Sequence, residues 1–259
     1  MHEALNVDKP KARGMMRGAV ITGAAGGIGT ALCRVFRAAG YRTIGLDYGK
    51  AAADCDACVE MDLERLCVDE RYRLDAIRQL IAVAGEAELH MLVNNAAVQI
   101  LGASAALTAA AWHRTLNVNV LAPFLLAQAL LGRLEAARGS VINIGSIHGS
   151  LTKPGFVAYA TSKAALAGLT RSMAVDLGAR VRVNAICPAA VATPMLLEGF
   201  KGNPAALETL AGMHPAGRIG TPEEVANAAL FLASPGAAFI SGAVLGVDGG
   251  IAGRLHDPA

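Results

Sequence analysis

Near its start the chain runs from Val20-Ile21-Thr22 into Gly23-Ala24-Ala25-Gly26-Gly27-Ile28-Gly29, then resumes as Thr30-Ala31-Leu32-Cys33-Arg34-Val35-Phe36. A short apolar run that breaks into glycines and restarts with helical spacing predicts a strand, a tight turn and a helix. Glycines permit positive φ and a close approach of backbone to a ligand, and the free N–H groups of a helix start present positive partial charge to a phosphate. By itself the string equally fits a tight βα connection with no ligand, because an alanine- and glycine-rich chain offers such turns by chance. Either way, this part of the chain is committed to a βα unit.

Strand-like runs recur near residues 19 to 22, 42 to 47, 58 to 61, 89 to 94, 140 to 145, 181 to 186 and 243 to 247, with helical stretches between most of them. Alternating β and α segments with crossovers of this length imply an α/β fold on a doubly wound parallel sheet. Ligands of such sheets bind beyond the carboxyl ends of the strands, where the strand order reverses. Thr22-Gly23, Asp47, Asp62, Asn94, Ser146 and Pro188 all fall at or just past a predicted strand end. A hydrophobic share of 54% against 17% charged residues suits a sheet covered on both faces. No linker or shift in composition divides the 259 residues, so 18–259 reads as a single domain and 1–17 as a flexible leader. The 48 to 58 connection is too short for a full helix and is left unassigned.

A second segment carries chemistry. Tyr159-Ala160-Thr161-Ser162-Lys163 follows Ser146, which stands in Ile144-Gly145-Ser146-Ile147-His148-Gly149. On a helix, positions i and i+4 share a face, so the Tyr159 phenol and the Lys163 ammonium point into one site. The cation would lower the phenol from its usual value near ~10, which makes a proton-transfer group. Alone, the pair also describes two residues on a solvated helix face. Taken together, the spacing of Gly23, Gly27 and Gly29, then Asn94-Asn95-Ala96, Ser146, and Tyr159 with Lys163 resembles the compact form of the short-chain dehydrogenase/reductase family. The resemblance runs from Gly18 to Gly250 and takes in Asn119 in NVNVLAPF, Pro188 and Thr193 in ICPAAVATPM, and the closing ISGAVLGVDGG. Ala97 and Ala189 stand where the family usually has glycine.

The resemblance implies a Rossmann-like fold and hydride transfer between a nicotinamide and a carbinol carbon. Tyr159 would move the hydroxyl proton, Ser146 hold the substrate oxygen, Lys163 lower the tyrosine pKa and grip the nicotinamide ribose, and Asn119 hold a water behind Lys163. Gly23, Gly27, Ile28, Gly29, Asp62, Leu63, Asn94, Pro188, Val191 and Thr193 would line the cofactor path. Asp62 has a second reading as a helix N-cap, and Asn94 and Thr193 as local turn and cap residues. Asp47 ends the predicted second strand, where a carboxylate accepts both adenosine-ribose hydroxyls and repels a 2′-phosphate by at most ~4 kcal/mol, for unit charges ~4 Å apart at an effective dielectric of ~20. Residues 24 to 26 are Ala, Ala and Gly, with no basic group for that phosphate. NAD is expected over NADP, although Lys50 could blunt the repulsion and Asp47 could be a plain turn carboxylate. Gln99 and His148 are candidates for a second substrate oxygen, or else surface and loop residues. Residues 195 to 215 match the family's mobile substrate loop, while Trp112 and His113 read as helix packing and surface.

The expected function is interconversion of a secondary alcohol and a ketone. The alternatives are an NADPH-dependent ketone reductase of the 3-oxoacyl type and a nucleotide-binding regulatory protein that keeps only the fold. A net charge of +2 without basic clusters gives no footprint for nucleic acid. The apolar stretch from Leu121 to Leu131 is shorter than the ~18 residues of a membrane span, and the first 17 residues hold no secretory signal. Five scattered cysteines make no disulfide framework, and Cys55-x-x-Cys58 with Cys67 lacks the partners of a zinc site. They read as buried small residues in a cytoplasmic protein without metal. The small residues Ala164, Ala165, Ala167 and Gly168, on a helix near 158 to 178 beside another near 119 to 136, imply by the same resemblance a homotetramer, or a homodimer.

Overall fold

The computed structural model describes residues 16–49 and 54–255. All but the last two residues of the leader and part of the 48 to 58 connection lie outside these. Seven strands, β1 (Arg17–Thr22), β2 (Arg42–Asp47), β3 (Ala57–Glu60), β4 (Glu88–Asn94), β5 (Ser140–Ile144), β6 (Arg182–Pro188) and β7 (Val244–Val247), form one parallel sheet in the order β3-β2-β1-β4-β5-β6-β7. The chain steps outward from β1 through β2 to β3, then returns to pair β4 with the other edge of β1. That reversal between β1 and β4 is the switch point at which a doubly wound sheet opens a crevice. The strand positions read from the sequence are met within two residues, and β1 begins at Arg17, inside the expected leader.

Alternation along each strand feeds two cores. In β1, Val20 joins Ile44, Leu46, Leu92 and Val141 on one face, while Ala19 and Ile21 join Met91, Val93 and Ile142 on the other. The second face is covered by α1 (Gly27–Ala38) and α9 (Pro222–Ala233) through Leu32, Phe36, Val225 and Leu232. The first is covered by α3 (Glu70–Ala84), α5 (Ala122–Ala136) and α6 (Val157–Leu177), which send Leu80, Leu126, Leu130 and Leu177 inward. Strand side chains point alternately to opposite faces, so one short apolar run serves both layers.

The helix that includes α5 differs from its expected form. Helix α4 (Ala109–Leu116) continues through a π-helical turn, Asn117–Leu121, into α5, giving 28 residues apolar enough by length and composition to cross a membrane. Leu126, Leu130 and Leu134 are nonetheless fully enclosed against the sheet, which accounts for the apolar character.

Helix α2 (Leu63–Val68) follows β3, and the segments α7 (Pro194–Gly199) and α8 (Pro204–Gly212) follow β6. No residue of α7 or α8 is buried.

Candidate active site

The glycines of the first turn are required by close contacts. Gly23 has φ +64°, and a Cβ there would stand 2.9 Å from the Ala96 Cα. A Cβ on Gly27 would meet Pro194 Cδ at 2.9 Å and Thr193 Cβ at 3.0 Å. The turn is also tied sideways to β4: the Thr22 hydroxyl accepts from the N–H of Asn95 and of Ala96, and the Asn95 side chain donates to the carbonyls of Thr22 and Gly23. No side chain caps the start of α1, so its first amides face the crevice as an anion-binding end.

At the end of β2, the Asp47 carboxylate accepts from Ala25 N–H (2.7 Å) and Tyr48 N–H (2.8 Å). Those bonds fix its direction beside the glycine turn. Asp62 caps α2, with Oδ1 accepting from the N–H of Glu64 and Arg65. Its capping role is therefore observed, and it also lines the crevice with Leu63.

The crevice is one cavity of about 1690 Å³ that extends from Gly23, Asp47 and Asp62 to Ser146, Tyr159 and Lys163. A single drug-sized ligand needs roughly 300–1,000 Å³, so there is room for a dinucleotide and a substrate end to end. Ile28, Pro188, Val191 and Thr193 also line it, as do Gln99 and His148. Ala97 and Ala189 line it too, and neither has a positive φ. The extra methyl groups therefore strain no backbone.

Two expected residues, Gly29 and Asn94, are placed differently. Gly29 is buried away from the wall, where a Cβ would lie 1.9 Å from the Gly23 carbonyl oxygen, so it serves the packing of turn on helix. The Asn94 side chain is turned into the protein and donates to Asn143 Oδ1 at 2.8 Å, while Asn143 donates to Thr170. Its neighbour Asn95 is the residue that reaches the cavity. The Asn119 side chain, in the π-helical turn, accepts from Val98 N–H and donates to the Val98 carbonyl and the Ser162 hydroxyl. Both amide hydrogens are spent, so the side chain clamps the Val98 loop to α6.

Ser146 closes β5 and accepts from His148 N–H at 3.2 Å. Lys163 is buried on α6 and donates to the Ile144 carbonyl at 2.8 Å, with Nζ 5.7 Å from the Tyr159 ring centroid. Burial draws Lys163 from 10.5 down to about 8. The Tyr159 phenol is pushed up from its ordinary value, chiefly by burial, with the Ser146 hydroxyl pulling the other way. In the cofactor-free protein burial therefore outweighs the Ser146 hydrogen bond, and the direction is opposite to the expected lowering. The His148 ring stacks on Phe156 at 4.3 Å and meets Tyr159 edge-on at 5.9 Å, and burial and Lys153 lower its pKa.

His214 was missed by sequence reasoning. It is buried in the cavity wall, its Nδ1 lies 2.9 Å from the Leu210 carbonyl, and its Nε2 has no partner among the described residues. No spacing rule marks a lone histidine before a proline.

A family model described as enoyl-(acyl carrier protein) reductase matches residues 23–252. Galactitol 2-dehydrogenase (L-tagatose-forming) of Cereibacter sphaeroides is 40% identical over 243 residues, covering 90% of this chain and 93% of that protein. The chain belongs to the short-chain dehydrogenase/reductase family. The ligand-free aldohexose dehydrogenase of Thermoplasma acidophilum superposes with a TM-score of 0.84 at 30% identity, over 95% of this chain and 97% of its own. A 4-hydroxyisoleucine dehydrogenase solved with NADH gives 0.82 at 27% identity, over 92% and 100%. A putative NAD(P) dependent gluconate 5-dehydrogenase from Beutenbergia cavernae, 30% identical with a TM-score of 0.82 over 92% of this chain and 97% of its own, was solved with NADP.

Proposed function

We propose that the protein is an NAD(H)-dependent dehydrogenase interconverting a secondary alcohol and a ketone on a small hydroxylated substrate. The observation that carries this is the meeting of Ser146, Tyr159 and Lys163 at one end of a cavity whose other end is the glycine turn and Asp47. The galactitol and aldohexose dehydrogenases among its relatives support a substrate with several hydroxyl groups.

The glycine turn fits a dinucleotide, because Gly23, Gly26, Gly27 and Ile28, at the uncapped start of α1, line the cavity. Gly23, Gly27 and Ile28 would hold the diphosphate, Asp47 the adenosine-ribose hydroxyls, and Asp62 and Leu63 the adenine side. Pro188, Val191, Thr193 and Lys163 would hold the nicotinamide end. When bound, the cofactor supplies a hydride acceptor or donor. Asp47 favours NAD, since a 2′-phosphate at ~4 Å from it would be repelled by up to ~4 kcal/mol at an effective dielectric of ~20.

Ser146 donates to the substrate oxygen and fixes it near the phenol. Tyr159, raised by burial, is neutral at pH 7 and donates its proton in ketone reduction. In alcohol oxidation the phenolate, the minor form that the Lys163 ammonium favours, accepts the hydroxyl proton. The Asn119 side chain positions α6, and its backbone carbonyl, whose i+4 neighbour Pro123 has no N–H to offer, would hold the water behind Lys163. His148 and Gln99 lie along the cavity where a second substrate oxygen would be held. Small residues on α6 support a homotetramer, and free thiols suit a reducing cytoplasm.

Tyr159→Phe tests the reading. On an alcohol found by screening polyols with NAD, kcat should fall by roughly 100-fold or more, while NADH affinity stays within about twofold. A variant retaining a large share of the rate would remove Tyr159 from proton transfer.

A further inference from the structure

Cys55 and Cys58 depart from the buried role expected for the cysteines. Cys58 lies exposed on β3 and Cys55 is half-buried just before it, and their sulfurs are 2.7 Å apart. Bonded sulfurs stand about 2.05 Å apart, so closure needs an approach of well under an ångström. We propose that Cys55 and Cys58 form an oxidisable dithiol pair that closes to an intrachain disulfide beside the cofactor end of the fold.

The chain on both sides of Cys55 is already pinned in the geometry that closure needs. Asp54 is held by Arg37 on α1 at 2.6 Å. Asp56 accepts from the Thr43 N–H at 2.8 Å and from its hydroxyl at 2.9 Å, and the Asp56 N–H donates back to Thr43. Cys58 is fixed by pairing with Gly45 in the sheet. Little chain entropy is left to lose when the bond forms, so the pair is preorganised. The Cys55 sulfur also sits 2.9 Å from the point where a Gly45 Cβ would lie, and the Ala24 methyl is 2.7 Å from that same point. Closure thus clips the start of β3 under the glycine turn, whose Ala25 N–H holds Asp47.

The two sulfurs have different roles. Cys58 is the accessible one, whereas burial and Cys58 itself push the Cys55 thiol up to about 11. With oxidised glutathione, the Cys58 thiolate attacks one sulfur, the glutathione disulfide breaks, and one glutathione thiolate leaves. Cys55 then gives up its proton and attacks the Cys58 sulfur, expelling the second glutathione thiolate. Two protein thiols are oxidised and one glutathione disulfide is reduced to two thiols.

The test is intact mass and peptide mapping of the whole chain after incubation with oxidised glutathione. Wild type should lose two hydrogens, with the linkage mapped to Cys55 and Cys58, and should melt several degrees higher until dithiothreitol reverses both changes. Cys55→Ser should hold one glutathione on Cys58, and Cys58→Ser should hold none on Cys55. A stable glutathione adduct on Cys58 of wild type, a linkage to Cys33, no reaction at either sulfur, or a lower melting temperature on closure would each overturn the proposal.

Discussion

Lys163 sits at a cost that can be measured. Its side chain is 2% exposed, and burial takes its pKa from 10.5 to about 8. At roughly 1.4 kcal/mol per pH unit, the folded protein gives up about 3 kcal/mol at neutral pH by keeping that ammonium charged. Methionine matches the unbranched stem without the charge. Lys163→Met forfeits the hydrogen bond to the Ile144 carbonyl, worth about 1 kcal/mol. The cofactor-free variant should therefore be more stable than wild type by about 1 to 3 kcal/mol. That is a rise in melting temperature of roughly 2 to 6 °C for a chain of this size.

The pH dependence distinguishes this cause from better packing. Below about pH 8, folded and unfolded wild type both carry the proton, and the whole penalty is present. Between about 8 and 10.5 the folded lysine is neutral while the unfolded one is still charged, so wild type gains stability as pH rises and the variant's advantage shrinks. Above 10.5 it is gone. Because the Lys163 ammonium favours the Tyr159 phenolate, the comparison is made in a Tyr159→Phe background, which removes the titration of that phenol from both proteins. Thermal and urea melts of the two cofactor-free proteins from pH 7 to above 10 supply the measurement. A difference that stays flat over that range, or a variant already weaker at pH 7, would refute the reasoning.

Three further outcomes are expected. Fluorescence titration should show NADH bound at least roughly tenfold more tightly than NADPH, and Asp47→Ala should erase most of that ratio by removing the opposing charge; an unchanged ratio would show that Asp47 does not select the cofactor. Arg138 is the one non-glycine residue with positive φ among the described residues, at 47°, so Arg138→Gly should stabilise the protein by roughly 1 kcal/mol in a urea melt, and a loss of stability would count against strain there. A Cβ on Gly168 meets open space, so Gly168→Arg should leave the fold intact but reduce the mass seen by light scattering on a size-exclusion column; a monomeric wild type would remove the proposed assembly.

What the sequence disclosed was whatever depends on short spacing. Gly23 and Gly27 mark a turn because only a missing side chain fits there, and Tyr159 with Lys163 marks a helix face because one helical turn brings them together. The choice between Asn94 and Asn95 was not legible, since strand alternation turns one inward and leaves the other at the crevice. The side-chain partners of Asn119, Val98 and Ser162, were not legible either, because the π-helical turn sets where that amide points. The direction of the Tyr159 pKa needed the burial of the phenol as well as its neighbours. The exposure of Cys58 could not be read from composition either, because it depends on β3 lying at the edge of the sheet.

The two sides of the cavity rest on different supports. Ser146 and Lys163 are buried, held by β5, α6 and the Ile144 carbonyl, so their geometry is locked by the core that holds the sheet together. The wall formed by α7 and α8 has no buried residue and is anchored at its ends, by Thr193 capping α7 and by His214 beneath Gly249. Segments with few buried contacts open at lower free energy than the core. That wall can therefore move, or change in sequence, without disturbing Ser146 or Tyr159. Substitutions at Met195, Leu196 or Leu210 should alter which alcohol is accepted, while substitutions at Ser146 or Tyr159 should alter whether any is.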